Sequence, residues 1–191
     1  MSRLAPRVTR KTDKTVTHSF RISEEALKAI EDESKRQNVS VATIINQQLL
    51  SYAELERFVR RLGLIKISSA TFQRLLEAGS IENVAKAGSE AGIDSPSSIM
   101  LAKYGEQTLG TTMDYLEILS EFANLFEFSR VEQGGKTIIT LIHRLGPKGS
   151  IFFANYMKNL FRSAEYSPKI ASTDHSVIIE VSPQRDKGSS Y

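Results

Sequence analysis

The sequence predicts an α+β protein in two parts. A small strand–helix–helix unit at the N-terminus is joined by a long helix to a larger C-terminal α+β domain. Three observations carry this. Hydrophobicity alternates with period two over "TVTHSFRIS", Thr15 to Ser23. Two capped segments with helical spacing follow it. Past residue 126 the pattern changes to two hairpins flanking one amphipathic helix, in the order ββαββ.

A chain of 191 residues suffices for one ordinary domain plus a small appendage. Its 40% hydrophobic and 25% charged residues are typical of soluble globular proteins. The longest apolar runs, such as "TIITLI", are too short to span a bilayer, so no membrane partner is expected. The basic N-terminus has no apolar core behind it, and no signal peptide is expected. The absence of cysteine excludes disulfides, thiolate catalysis and Cys-ligated zinc, and it fits a cytoplasmic protein.

Net charge is only +3, but it is unevenly placed. Residues 1–21 hold Arg3, Arg7, Arg10, Lys11, Lys14 and Arg21 against Asp13, a net +5 that leaves −2 for the rest. A basic arm on a near-neutral body suggests an anionic partner at one end. A merely solvated tail would show the same charge. Residues 1–13, with Pro6 and few large apolar side chains, are expected to be a disordered arm.

In the strand, Val16, His18, Phe20 and Ile22 point one way, and Thr15, Thr17, Ser19 and Arg21 the other. Ser23 ahead of "EEALKAI" is an N-cap with acids at the helix start. That helix presents Leu27 and Ile30, with Ala26 and Ser34, and ends near Gln37. Asn38 suits the left-handed position after it. Ser40 caps a second helix carrying Val41, Ile44, Ile45, Leu49 and Tyr52. One strand has two unpaired edges, and two short helices leave apolar faces open. Two copies solve both problems: the strands pair into an antiparallel ribbon and four helices close over it. A homodimer is therefore expected, with higher oligomers left open.

Residues 15 to about 52 resemble the ribbon-helix-helix DNA-binding domains of bacterial and archaeal repressors. The resemblance rests on the alternating strand, the Ser-acid helix start, the "RQNVSV" turn and the second apolar helix. It covers about a fifth of the chain. It implies double-stranded DNA as partner, with the ribbon in the major groove. The base-reading residues would be Thr17, Ser19 and Arg21, with Arg21 able to grip guanine O6 and N7. The N–H groups of Val41 and Ala42, with Ser40 beside them, would clamp a phosphate. Lys14, Arg10 and Lys11 would add non-specific phosphate attraction. His18 departs from the apolar residue usual in the family, and Asn38 from its common glycine.

The apolar stripe runs on through Leu55, Phe58, Val59 and Leu62, and Gly63 is the first stop. A continuous helix from Val41 to Leu62 would be about 33 Å long. It either couples DNA grip to the C-terminal state or extends the dimer interface. The expected organisation is thus an arm (1–13), the DNA-binding unit (14–52), a connecting helix (53–63), the C-terminal domain (64–182) and a flexible tail (183–191).

In that domain "GLIKIS" reads as a short strand. Ser68 or Ser69 caps "ATFQRLLEA", which Gly79 stops. "SIENVAKAGSEAG" reads as a helix ending at Gly92, and Ser95-Pro96 starts another. "TTMDYLEILSEFANLF" faces a core with Met113, Leu116, Leu119, Phe122, Ala123 and Phe126. "FEFSRVE" and "KTIITLIH" form the first hairpin. The helix after "GPKGS" lines up Phe152, Phe153, Tyr156, Leu160 and Phe161. "SPKIAST" and "SVIIEVS" form the second hairpin. Arg144 and Lys148 could draw an anion to the start of that helix, although Gly-Pro is also an ordinary strand-to-helix turn.

No GxGxxG, Walker, HExxH or GxSxG motif is present, so neither an enzyme nor a bound cofactor is expected. His143 and His175 lack metal-ligand spacing, and both are expected to be structural. The helix-plus-hairpin end is loosely similar to vinyl-reductase-type small-molecule sensor domains, whose cysteines are missing here. The domain is therefore expected to serve ligand sensing or assembly, with a small-molecule effector as a further partner. The overall expectation is a DNA-binding transcription regulator, a repressor by family habit. Alternatives are the antitoxin of a toxin–antitoxin pair and an architectural DNA-binding protein.

Overall fold

A computed structural model describes residues 15–182, and the arm, Arg10, Lys11, Lys14 and the tail lie outside the described residues. The chain divides into two compact units, Met1–Gln48 and Leu49–Tyr191. The class is α+β, with its four-stranded antiparallel sheet in the C-terminal unit.

The first unit opens with Thr15–Ser23, which runs without turn or bend and joins no ladder. The expected strand is thus not formed within one chain, for a physical reason. Strand pairing needs a second edge, and the rest of this unit is helical. Helix α1 (Glu24–Gln37) starts at Ser23, whose hydroxyl accepts from the Ala26 N–H at 3.3 Å. Its end matches the sequence reading: Asn38 adopts φ 54° and its N–H reaches the Lys35 carbonyl. Ser34 is buried and donates from Oγ to the Val39 carbonyl at 2.6 Å, tightening the turn. Ala26 stays exposed, while Leu27 and Ile30 are half-buried.

Helix α2 (Val41–Ser51) is followed by a π-turn (Tyr52–Glu56) and by α3 (Arg57–Arg61). The expected helix from Val41 to Leu62 therefore ends a residue early and contains one wide turn. A π-turn is costly and persists where side chains hold it. Here Lys103 pairs with Glu54 and Lys66 with Glu56, while Leu55 and Phe58 are buried.

The "GLIKIS" segment forms no strand: Leu64–Ser68 has no ladder partner. Ser68 caps α4 (Ser69–Ala78), accepting from the Thr71 N–H, and Gly79 ends it. Lys148 donates to the Glu77 and Gly79 carbonyls at 2.8 and 2.5 Å, capping the end of α4. It is occupied in this way rather than waiting for an anion.

Gly92 does not stop a helix and Pro96 does not start one. A single helix, α5, runs from Ile81 to Tyr104. The glycines serve contact instead. A Cβ at Gly88 would lie 2.3 Å from the Phe152 carbonyl oxygen, and one at Gly92 2.3 Å from that of Tyr156. Both carbonyls belong to α7 (Gly146–Ser163), so the two backbones touch at matched four-residue intervals. Asn159 adds a bond to the Ser89 carbonyl at 3.1 Å. Pro96 removes one helical hydrogen bond. Burial of Val84 before it and of Ile99 and Met100 after it offsets that loss.

Helix α6 (Leu109–Glu121) starts in a capping box of Thr108 and Thr111. It buries Met113, Leu116 and Leu119 as expected. It ends before Phe122 and Ala123, and Ala123 is exposed. Strands β1 (Glu127–Gln133) and β2 (Lys136–Ile142) meet at Gly134-Gly135, both with positive φ, as a two-residue hairpin turn requires. Strands β3 (Lys169–Ser172) and β4 (Ser176–Val181) form the second hairpin, and the sheet order is β1-β2-β4-β3. Ile139, Leu141, Val177 and Ile179 share a core with Phe153, Met157, Leu160 and Phe161 of α7.

Candidate nucleic-acid interface

The expected interface belongs to the first unit. Thr17, Ser19 and Arg21 occupy alternate positions in the unpaired segment, and all three are exposed. So are their neighbours: Val16 is 87% exposed, Phe20 58% and Ile22 38%. His18 is exposed too. Large apolar side chains left in water on both sides of an arginine are unusual for a finished surface.

Ser40 is the N-cap of α2. Its hydroxyl accepts from the Thr43 N–H at 3.0 Å and lies 2.8 Å from Thr43 Oγ1. Among the described residues the N–H groups of Val41 and Ala42 have no protein partner, as helix geometry leaves the first turn. Ser40 and Ala42 are exposed and Val41 is half-buried. The start of α2 thus presents free donors at the positive end of a helix dipole. In the last turn of α1, Arg36 pairs with Glu33. That guanidinium, with Gln37, holds the Glu33 carboxyl down at about 2. These side chains are committed to each other.

Several buried polar groups of the second unit are bonded to one another. His143, at the end of β2, is buried, and its Nε2 lies 2.9 Å from Ser150 Oγ on α7. The Leu145 N–H donates to His143 Nδ1 at 3.3 Å, so the proton sits on Nε2 and is donated to the serine. Burial, with His175 nearby, holds the His143 pKa below its ordinary value. The seven-residue spacing across a strand-to-helix turn was the only sequence signal for this bond. Tyr115 and Tyr156 share a buried hydroxyl–hydroxyl bond of 2.7 Å, a pairing across 41 residues that no local pattern signals. Burial pushes the Tyr115 phenol up to about 12 and raises that of Tyr156 well above its ordinary value.

A cavity of about 260 Å³ opens at one end of the sheet, lined in part by Ser69, Asn124, Phe126, Glu127, His143 and Arg144. Sequence reasoning missed it, because its walls come from three separate loops. Among the described residues no cluster of His, Asp and Glu could hold a metal ion. No helix there is long and apolar enough to cross a membrane. The chain matches no protein family profile, no curated protein and no solved structure.

Proposed function

We propose that this chain is a sequence-specific DNA-binding transcription regulator, a repressor acting as a homodimer with a two-stranded ribbon in the major groove. The observation that carries the reading is the state of Thr15–Ser23. It is straight, unpaired and exposed throughout, yet its alternate residues include Val16, Phe20 and Ile22. Pairing with a second copy satisfies the backbone and lets the apolar side chains close on the helices. Thr17, Ser19 and Arg21 then face outward together. Arg21 reads a guanine, and the two hydroxyls add weaker contacts. The start of α2, at Ser40, Val41 and Ala42, fixes the register on a phosphate. Lys14, Arg10 and Lys11 supply attraction that does not depend on sequence.

The second unit serves sensing or assembly in this reading. Its cavity lies just under the usual volume range for drug-sized ligands, so an effector bound there is small.

The test is selection from pooled genomic DNA fragments, at two salt concentrations, with wild type and Arg21→Ala. Wild type should enrich a short palindrome. Arg21→Ala should lose about ten- to a hundredfold of that preference and keep salt-sensitive binding. No retention of DNA by wild type at low salt would overturn the proposal.

A further inference from the structure

A second stretch of this chain has the properties of an unpaired strand, and it lies in the other unit. Leu64–Ser68 runs without turn or bend between α3 and α4. Only its first side chain is partly buried, and Ile65 to Ser68 are all exposed. Leu64 packs on the core and Lys66 pairs with Glu56. Ile65 and Ile67 face water, at 83% and 47% exposure. The backbone N–H and C=O groups of Ile65, Lys66 and Ile67 have no protein partner among the described residues. Strands β1 and β3 are the edges of the sheet, and neither pairs with the segment.

We propose that Leu64–Ser68 is an interchain strand that pairs antiparallel with the same segment of a second copy, about a two-fold axis through Lys66. The sequence is self-complementary for that arrangement. Lys66 is flanked by isoleucine on both sides, so the axis sets Ile65 opposite Ile67 of the second copy and gathers four isoleucines on one face. A two-fold interface demands such self-complementarity, and a foreign strand does not. Two lysines opposite each other would repel, but each is already held by its own Glu56. The pairing satisfies backbone groups and covers apolar surface together. It is independent of the N-terminal ribbon, and either can exist without the other.

The chain has no cysteine, so Lys66→Cys carries a single thiol at the proposed axis. Residues directly opposite in an antiparallel pair lie at disulfide distance. Under mild oxidation the full-length Lys66→Cys protein should run mainly as a linked dimer on a non-reducing gel. Ile65→Cys and Ile67→Cys, each alone, should link several-fold less, and the two co-expressed should link to each other. The exposed position on α5, tested as Lys86→Cys, serves as the control. Absence of the Lys66→Cys cross-link in a protein that light scattering shows to be a dimer overturns this pairing and leaves the N-terminal ribbon standing. A monomer by light scattering overturns both. Linkage at Lys86→Cys equal to that at Lys66→Cys also overturns the pairing.

Discussion

The two units of this chain solve the problem of apolar surface in opposite ways. The second closes on itself. Its sheet, α5, α6 and α7 share one core, and α5 meets α7 so closely that only glycine fits at Gly88 and Gly92. The first hardly closes at all: among its described residues only Ser34 and Ile44 are buried. Yet its local structure is as well formed, with a serine cap at each helix start and a left-handed asparagine at the turn. Local signals are therefore sufficient to form helices, but a fold also needs something to pack against. The second unit has that within itself, and on the proposed reading the first takes it from another copy.

The contrast breaks most sharply at the glycines. Gly92→Ala puts a methyl group 2.3 Å from a backbone oxygen, which no rotamer change relieves. It should cost about 3 kcal/mol of unfolding free energy, read by denaturant titration. Gly110→Ala is the control, since a Cβ there meets nothing closer than 3.7 Å; it should be neutral or slightly stabilising. In the first unit the informative change is Phe20→Ser. In one isolated chain it removes an exposed ring and should do little. If a second copy covers that ring, it should cost about 2 kcal/mol and weaken the dependence of Tm on protein concentration.

The smallest effect concerns acid. Burial lowers the folded-state pKa of His143, so the folded protein binds its proton less readily than the unfolded chain. The resulting stability is complete above the ordinary value of 6.5 and is lost as pH falls through the lower folded value. Thermal unfolding between pH 7.5 and 5 should show this slope in wild type. His143→Gln should flatten it, at a cost of about 1 kcal/mol at neutral pH.

What could be read from the sequence was mainly local. Caps at Ser23, Ser40 and Ser68, the left-handed Asn38, the Gly134-Gly135 turn and the ββαββ order all follow from rules spanning a few residues. The reading failed where distant partners decide. Gly92 and Ser95-Pro96 look like a break until α7 is known to lie against the glycines. "GLIKIS" has the alternation of a strand, but strand formation depends on an edge that the sequence does not locate. The π-turn at Tyr52–Glu56 leaves no mark in the apolar stripe, because the lysine that holds Glu54 is Lys103, far along the chain. The candidate interface at Thr17, Ser19, Arg21 and the start of α2 is proposed from pattern and resemblance; the structure adds that these residues, apart from half-buried Val41, are exposed. The cavity was not legible in the sequence, since its lining is gathered from separate loops.

The backbone contact between α5 and α7 has a consequence in time. Side chains between helices act as bearings, and they can turn over while the helices stay docked. Between Gly88 and Phe152, and between Gly92 and Tyr156, there is no such layer. These helices can part only by withdrawing whole, with Asn159 releasing Ser89 as they go. Their amide hydrogens should be the slowest in the molecule to exchange with solvent, at a rate set by global unfolding.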